Sequence, residues 1–170
     1  MKKILLVLIL ILTLGSHTMA YEEANYETIS ENKNYEIRKY FDRLVIETDS
    51  KEGNGFRKLF NYISGNNEEK KEIKMTVPVT QENKDGNMKM QFYLPSKFNK
   101  DNAPKPSNPE IKVLNIEGGY YAVIKYSGRS SDKNFIKNKN ILEKELKKDD
   151  IVILSPPIRA SYNSPFTLPM

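Results

Sequence analysis

Gly53-Asn-Gly-Phe-Arg-Lys-Leu-Phe-Asn-Tyr-Ile-Ser-Gly65 is where the chain changes period. Within it Phe56, Leu59, Phe60 and Ile63 fall at i, i+3, i+4 and i+7. That spacing gathers four large apolar groups on one helical face, and the glycines on either side supply a break and a stop. Before it the period is two. Tyr35-Glu-Ile-Arg-Lys-Tyr40 alternates, with Tyr35, Ile37 and Lys39 on one side and Glu36, Arg38 and Tyr40 on the other. Leu44 to Thr48 is short, apolar and β-branched, and Phe41-Asp-Arg43 turns the chain between these two strands. Residues 21–34 read as a polar lead.

Beyond the helix, Ile73 to Thr80 and Met88 to Leu94 alternate, and the polar run Asn83 to Asn87 between them has hairpin chemistry. Pro78 cannot donate to a ladder, so it predicts an edge position or a bulge. Asn102 to Pro109 holds three prolines and reads as an extended linker. The order then repeats. Ile111 to Ile116 and Tyr120 to Tyr126 are predicted strands, Ser127 to Asp132 a break, and a helix runs to about Lys148 with Ser131 or Asp132 as its cap. Ile151 to Leu154 and Ile158 to Tyr162 are a predicted strand pair around Pro156-Pro157. The expected class is α+β, with two β-β-α-β-β units whose sheets curl around two helices.

The first twenty residues have the layout of a secretory signal. Lys2 and Lys3 give a positive start, Ile4 to Gly15 is almost wholly aliphatic, and Thr18-Met-Ala20 offers a cleavage point after Ala20. The apolar run would span only about 18 Å as a helix, short of the roughly 30 Å hydrocarbon core, so no lasting membrane anchor is expected. The expected location is the periplasm or the exterior. The 27 Lys and Arg against 22 Asp and Glu give +5, and removing Lys2 and Lys3 leaves +3. The two signs are interspersed, as in Glu68 to Lys74, so nucleic acid is not an expected partner. About 150 residues remain, a common single-domain length.

Composition removes whole classes of chemistry. There is no cysteine, so disulfides, thiolate nucleophiles, Cys-based metal sites and a lipidated N-terminus are excluded. The one histidine, His17, lies in the segment expected to be removed. Imidazole acid–base catalysis and histidine-bearing zinc sites go with it. Gly53-Asn-Gly55 lacks the lysine and spacing of a phosphate loop. Carboxylate, tyrosine and lysine remain. Glu47 and Glu117 are the acids nearest to apolar strands, and solvated strand-end charges are the commoner reading of both. The ten tyrosines, with Phe, Met and scattered Arg, suit a pocket for a flat apolar molecule with carboxylates at its rim. The same residues also suit an ordinary core.

These segments resemble, in order, those of the SOUL or haem-binding protein family. Tyr35 to Tyr40 resembles its opening strand, Gly55 to Gly65 its first helix, and Lys74-Met-Thr-Val-Pro-Val-Thr80 its most recognisable segment. Phe92-Tyr-Leu-Pro-Ser96, Pro104-Lys-Pro106, Tyr126-Ser-Gly128 and Tyr162 to Pro169 follow in the family's order. The resemblance covers about 26–170 and implies a distorted β-barrel of two pseudo-symmetric halves flanked by two helices. It implies haem or another tetrapyrrole as cofactor, held in a shallow apolar groove against the first helix. By position, Phe56, Arg57, Leu59, Phe60 and Ile63 would line that groove, with Met75, Tyr162 and Phe166 nearby.

Two departures from the family bear on this. Some members use a histidine on iron, and none is expected to survive export here, which leaves Met75, Tyr62, Tyr162 or no ligand at all. Arg57, Lys58 or Arg159 would meet the propionates. Members also usually continue with a basic-Asn-Glu segment and a last strand, whereas this sequence stops at Met170, so a closing strand is expected to be missing or the sequence truncated. The expected function is a non-catalytic carrier or scavenger. The alternatives are a small hydrolase of lipophilic compounds built on Glu117 with Tyr120 or Tyr121, and a protein-interaction module.

Overall fold

Ten strands and two helices follow one another through residues 21–49, 53–84 and 86–163, which the computed structural model describes. The polar lead, to which the sequence reading assigned no element, carries two strands, β1 (Glu22–Glu23) and β2 (Tyr26–Glu31). β3 (Glu36–Tyr40) and β4 (Arg43–Asp49) lie where alternation placed them. α1 (Gly55–Ile63) follows, and its last turn is closed by the N–H groups of Ser64 and Gly65, which reach the Phe60 and Tyr62 carbonyls. Gly65 has φ +97°, the left-handed conformation that lets a helix end on glycine.

Pro78 splits the next predicted strand. β5 (Thr76–Val77) pairs in parallel with β1, and β6 (Val79–Lys84) pairs on both of its sides with other partners. A proline at this change of partner removes no ladder bond. β7 (Asn87–Tyr93), β8 (Lys112–Ile116), β9 (Gly119–Val123), α2 (Asp132–Lys148) and β10 (Ile158–Ser161) complete the chain. Ile151 to Leu154, expected to form a strand, is in no strand.

Three sheets result: β10-β6-β7-β4-β8, β2-β3-β9 and the pair β1-β5, antiparallel except for the last. The expected barrel is therefore not closed among the described residues. β9 and β10 share no ladder, and the eight longer strands fall into two separate sheets.

The core lies between α1 and the larger sheet. Leu59, Tyr62 and Ile63 meet Leu44 and Ile46 of β4, Met90 and Phe92 of β7, and Ile73, Leu94, Phe98 and Ile111. The proline-rich stretch is a lid on this core rather than a free linker. Pro104 is buried, and its carbonyl accepts the Tyr62 hydroxyl at 2.5 Å. Burial pushes the Tyr62 phenol up to about 12. Tyr62→Phe removes the donor and strands a buried carbonyl, so we expect a loss of about 1–3 kcal/mol in urea unfolding at neutral pH. Because the folded-state phenol sits above its unfolded value, its contribution is complete below pH 10 and is lost as pH rises through about 12.

α2 begins as its sequence predicts. Ser131 Oγ accepts the Asn134 N–H at 3.3 Å, with Asp132 in the first turn and Lys147 and Lys148 in the last. It is tied to the start of β3 by Asn34 Nδ2 donating to Glu145 at 2.8 Å and by the Tyr35 hydroxyl donating to Asp149. Leu146 is its only buried apolar side chain, and Ile136 and Ile141 are exposed.

Candidate functional site

The helical face read from 56, 59, 60 and 63 is divided in the structure. Leu59 and Ile63 are turned into the core with Tyr62, since three residues one turn apart define the line of contact with the sheet. Phe56 is half-buried at the margin of that line, and its ring meets Phe92 edge-on at 5.2 Å. Phe60 lies outside it and is 47 % exposed. The Phe56 and Phe60 rings are nearly parallel, 12° apart with centroids at 5.9 Å, so α1 presents a small flat aromatic surface at the edge of the core.

The other residues expected at the groove are placed differently. Met75 is half-buried and packs against the core cluster. Of the three basic candidates, Lys58 bonds Glu110 at 2.9 Å and Arg159 bonds Asp132 at 2.7 Å. Arg57 is exposed and has no acidic partner among the described residues. Tyr162 follows β10, which pairs with β6, and is 37 % exposed; partial desolvation and the nearby Tyr40 push its phenol up. Phe166 lies outside the described residues.

The stacked Phe56 and Phe60 rings offer an aromatic surface of the kind on which a flat macrocycle would stack. An iron ligand is a poorer fit, because Met75 is engaged in packing and Tyr62 gives its hydroxyl to Pro104. Among the described residues no cluster of His, Cys, Asp and Glu could hold a metal ion.

A second, polar site lies on the inner face of β3, where alternation places Glu36, Arg38 and Tyr40 side by side. This charged face is the buried one, and Arg38 is only 2 % exposed. Its Nε donates to Glu36 at 2.8 Å, a terminal nitrogen donates to the Tyr40 hydroxyl at 3.1 Å, and the guanidinium lies 4.1 Å from the Tyr26 ring centroid. Lys125 also donates to Glu36, at 2.5 Å. The hydrogen bonds from Lys125 and Arg38 hold the Glu36 carboxyl below its usual value. Arg43 of β4 sits against Tyr40, Tyr93 and Tyr121, at 4.7, 5.4 and 5.4 Å from their centroids. The pattern Glu-x-Arg-x-Tyr was visible in the sequence. Which side faced inward was not.

Two hollows adjoin this layer and neither touches α1. One, of about 150 Å³, is lined by Arg43, Tyr93, Leu94 and Phe98 among others. That is below the roughly 300 Å³ at which ligand pockets begin. The other is a shallow depression of about 490 Å³ around Lys39, Phe41, Gly118 and Tyr120. Gly118 floors it closely, since a Cβ there would stand 2.6 Å from the Tyr40 carbonyl oxygen. Glu117, considered above with Tyr120 or Tyr121, is exposed in the β8–β9 connection, and the Tyr121 hydroxyl instead accepts from Arg43 at 3.3 Å.

The family model for the SOUL heme-binding protein matches residues 21–170. Heme-binding protein 2 of Mus musculus is 30% identical over 152 residues, covering 79% of this chain and 72% of that protein.

Proposed function

The chain belongs to the SOUL heme-binding protein family, and from that membership we propose that it is an exported, non-catalytic carrier or scavenger of haem or a related tetrapyrrole. The macrocycle lies against the open Phe56–Phe60 edge of α1. The observation that carries this reading is the exposed Phe60 ring, stacked on Phe56 at the boundary of a sealed core. Rings held by the core present a fixed flat surface, so little freedom is lost when a planar guest stacks on them. Arg57, exposed on the same helix, supplies a cation for the guest's carboxylates. A haem iron bound there would draw no ligand from the side chains described above, so recognition rests on the macrocycle rather than the metal.

Export is supported by the Lys2-Lys3 start and the aliphatic run that follows, and the family match begins at Tyr21, just after the proposed cut. The absence of turnover is supported by the lack of cysteine and by the exposed position of Glu117.

The two β-β-α-β-β units are, in this reading, related by a repeat. Arg43 opposes Ile116 in one sheet and Tyr40 opposes Gly119 in the other, so 43 maps to 119 and 40 to 116 with one spacing. The helices begin at 55 and 132, and the paired strands β6 and β10 at 79 and 158.

Haemin titration of the exported form, followed by the Soret band, tests the proposal. Phe60→Ala should weaken binding roughly 2- to 10-fold, the equivalent of about 0.5–1.5 kcal/mol for one aromatic stack. The urea midpoint should stay where it is, because the ring is half in solvent. Unchanged affinity in this variant would remove α1 as the site.

A further inference from the structure

Lys and Glu are interspersed along the sequence, but the winding of α2 sorts them. At about 100° per residue, Lys133, Lys137, Lys144, Lys147 and Lys148 fall within an arc of about 100° on one side of the helix. All five are exposed. The opposite side carries Asn138 and Leu146, which are buried, and Phe135 and Leu142, which are half-buried. The lysine arc is therefore the outer face, turned away from the rest of the protein. At its two margins stand Ile136 and Ile141, 52 % and 39 % exposed.

The acids of this helix leave that face uncompensated. Asp132 pairs with Arg159 at 2.7 Å, Glu143 with Lys139 at 3.3 Å, and Glu145 with Lys148 at 2.7 Å while also accepting from Asn34 at 2.8 Å. By the same angular count all three stand outside the lysine arc. Lys133, Lys137, Lys144 and Lys147 have no acidic partner among the described residues. Lys133 with Lys137 and Lys144 with Lys148 are spaced i, i+4, where like charges oppose helix formation. From 133 to 147 the unpaired cations run along about 21 Å of helix at 1.5 Å per residue. The arrangement costs the free molecule stability, and a surface of opposite charge relieves it.

We propose that the outer face of α2 docks on an anionic lipid bilayer, its four unpaired lysines meeting headgroup phosphates while Ile136 and Ile141 enter between the headgroups. The charges alone would suit any polyanion, and the apolar margins select the bilayer. An isoleucine gains nothing against a sugar–phosphate backbone, whereas the boundary between headgroups and acyl chains takes up aliphatic side chains. The apolar stripe of α2 stays on its own protein, so the helix rests on the membrane surface instead of lying within it, and attachment is reversible. The Phe56–Phe60 surface is on the other helix, so this docking is independent of the tetrapyrrole reading.

Co-flotation of the exported form with vesicles tests this, using phosphatidylcholine mixed with phosphatidylglycerol against phosphatidylcholine alone. Binding is expected to the mixed vesicles only, with release as salt rises from about 0.1 M to about 1 M and the screening length falls from about 10 Å to about 3 Å. Each lysine beside such a surface is worth about a 5-fold change in affinity, so Lys137→Gln with Lys144→Gln should weaken binding about 30-fold. Far-UV circular dichroism of that variant should show α2 intact, since the change also relieves both like-charge pairs. Lys100→Gln with Lys105→Gln removes the same charge from the stretch that covers the α1 core and should leave binding nearly unchanged. Ile136→Ser should weaken it several-fold at every salt concentration. No binding to the mixed vesicles, equal binding to phosphatidylcholine alone, or an equal loss in the Lys100 and Lys105 variant overturns the proposal. So does an Ile136→Ser variant that binds as wild type, and so does duplex DNA bound more tightly than the vesicles at the same salt. Haemin affinity should stay at the wild-type value in every variant, so a failure here and a failure of the tetrapyrrole reading are seen separately.

Discussion

Arg38→Ala is expected to lower stability by about 1.5–3 kcal/mol, the usual worth of hydrogen bonds to a charged group, because it removes the buried donor to Glu36 and Tyr40 while Lys125 still holds the Glu36 carboxylate. Against a total of about 5–15 kcal/mol for a domain, that is a large fraction. The guanidinium is almost wholly out of water and holds three groups from two strands: Glu36 and Tyr40 by hydrogen bonds and Tyr26 through its ring face. Burial alone would make it easier to deprotonate, but the bonds to Glu36 and Tyr40 outweigh that and raise its pKa. It therefore stays charged at any pH where the protein folds. The check is the urea midpoint of the variant against wild type. A companion double variant, Arg38→Met with Glu36→Leu, should lose less than the two single changes added together, because neither charge is then left alone. Additive losses would mean that the pair is not coupled as the geometry implies.

The same cluster sets a pH dependence. The folded-state carboxyl of Glu36 lies below its ordinary value, chiefly through the Lys125 hydrogen bond and then that of Arg38. A depressed carboxylate contributes stability that is complete above its unfolded value and is lost as pH falls through the folded one. The stability difference between wild type and Glu36→Gln should therefore be widest near neutrality and narrow as the solution is acidified below about pH 4.5. A difference that is flat from pH 7 to pH 3 would contradict the assignment.

Phe92→Ala carries the second large effect, about 3–5 kcal/mol by the usual cost of emptying a buried phenylalanine site. Phe92 is 1 % exposed at the centre of the cluster joining α1 to β4 and β7. Its consequence extends to the proposed binding surface, because the Phe92 ring is the edge on which Phe56 rests, and Phe56 is the layer beneath Phe60. Removing it frees Phe56 to tilt into the cavity. We expect haemin affinity of the folded fraction to fall by at least the factor seen for Phe60→Ala, even though Phe92 itself is out of contact with solvent. Phe92→Leu, which keeps most of the volume, should recover most of the stability but only part of the affinity. Retained affinity in the folded alanine variant would disconnect the core from the site.

Local pattern carried much of this structure. The 3.6 period over 56–63 placed α1, alternation placed β3, β4 and β7 to within a residue or two, and Ser131 as a cap placed the start of α2. The two strands within the polar lead went unassigned because β1 and β2 are polar edge strands. β2 is mostly exposed, so it shows no apolar alternation for a pattern to detect. Ile151 to Leu154 was misread in the opposite sense. Its residues have the composition of a strand, but a strand is defined by a partner, and the chain provides none among the described residues. The proline-rich stretch looked like a linker because nothing in its own residues announces that Tyr62 will bond Pro104 from 42 positions away.

The amino-acid order by itself determined that cysteine chemistry is absent, where both helices and most of the strands lie, and the family to which the segments belong. It also named the residues on one side of α1, since a helix's angular spacing is fixed by its own backbone. What it could not determine is how that face divides between sealed and open, or that the charged face of β3 would turn inward. Those outcomes were decided only when the sheets met. Burial is a property of two surfaces together, and Phe60 and Leu59, a single step apart on one helix, differ only in what stands opposite them.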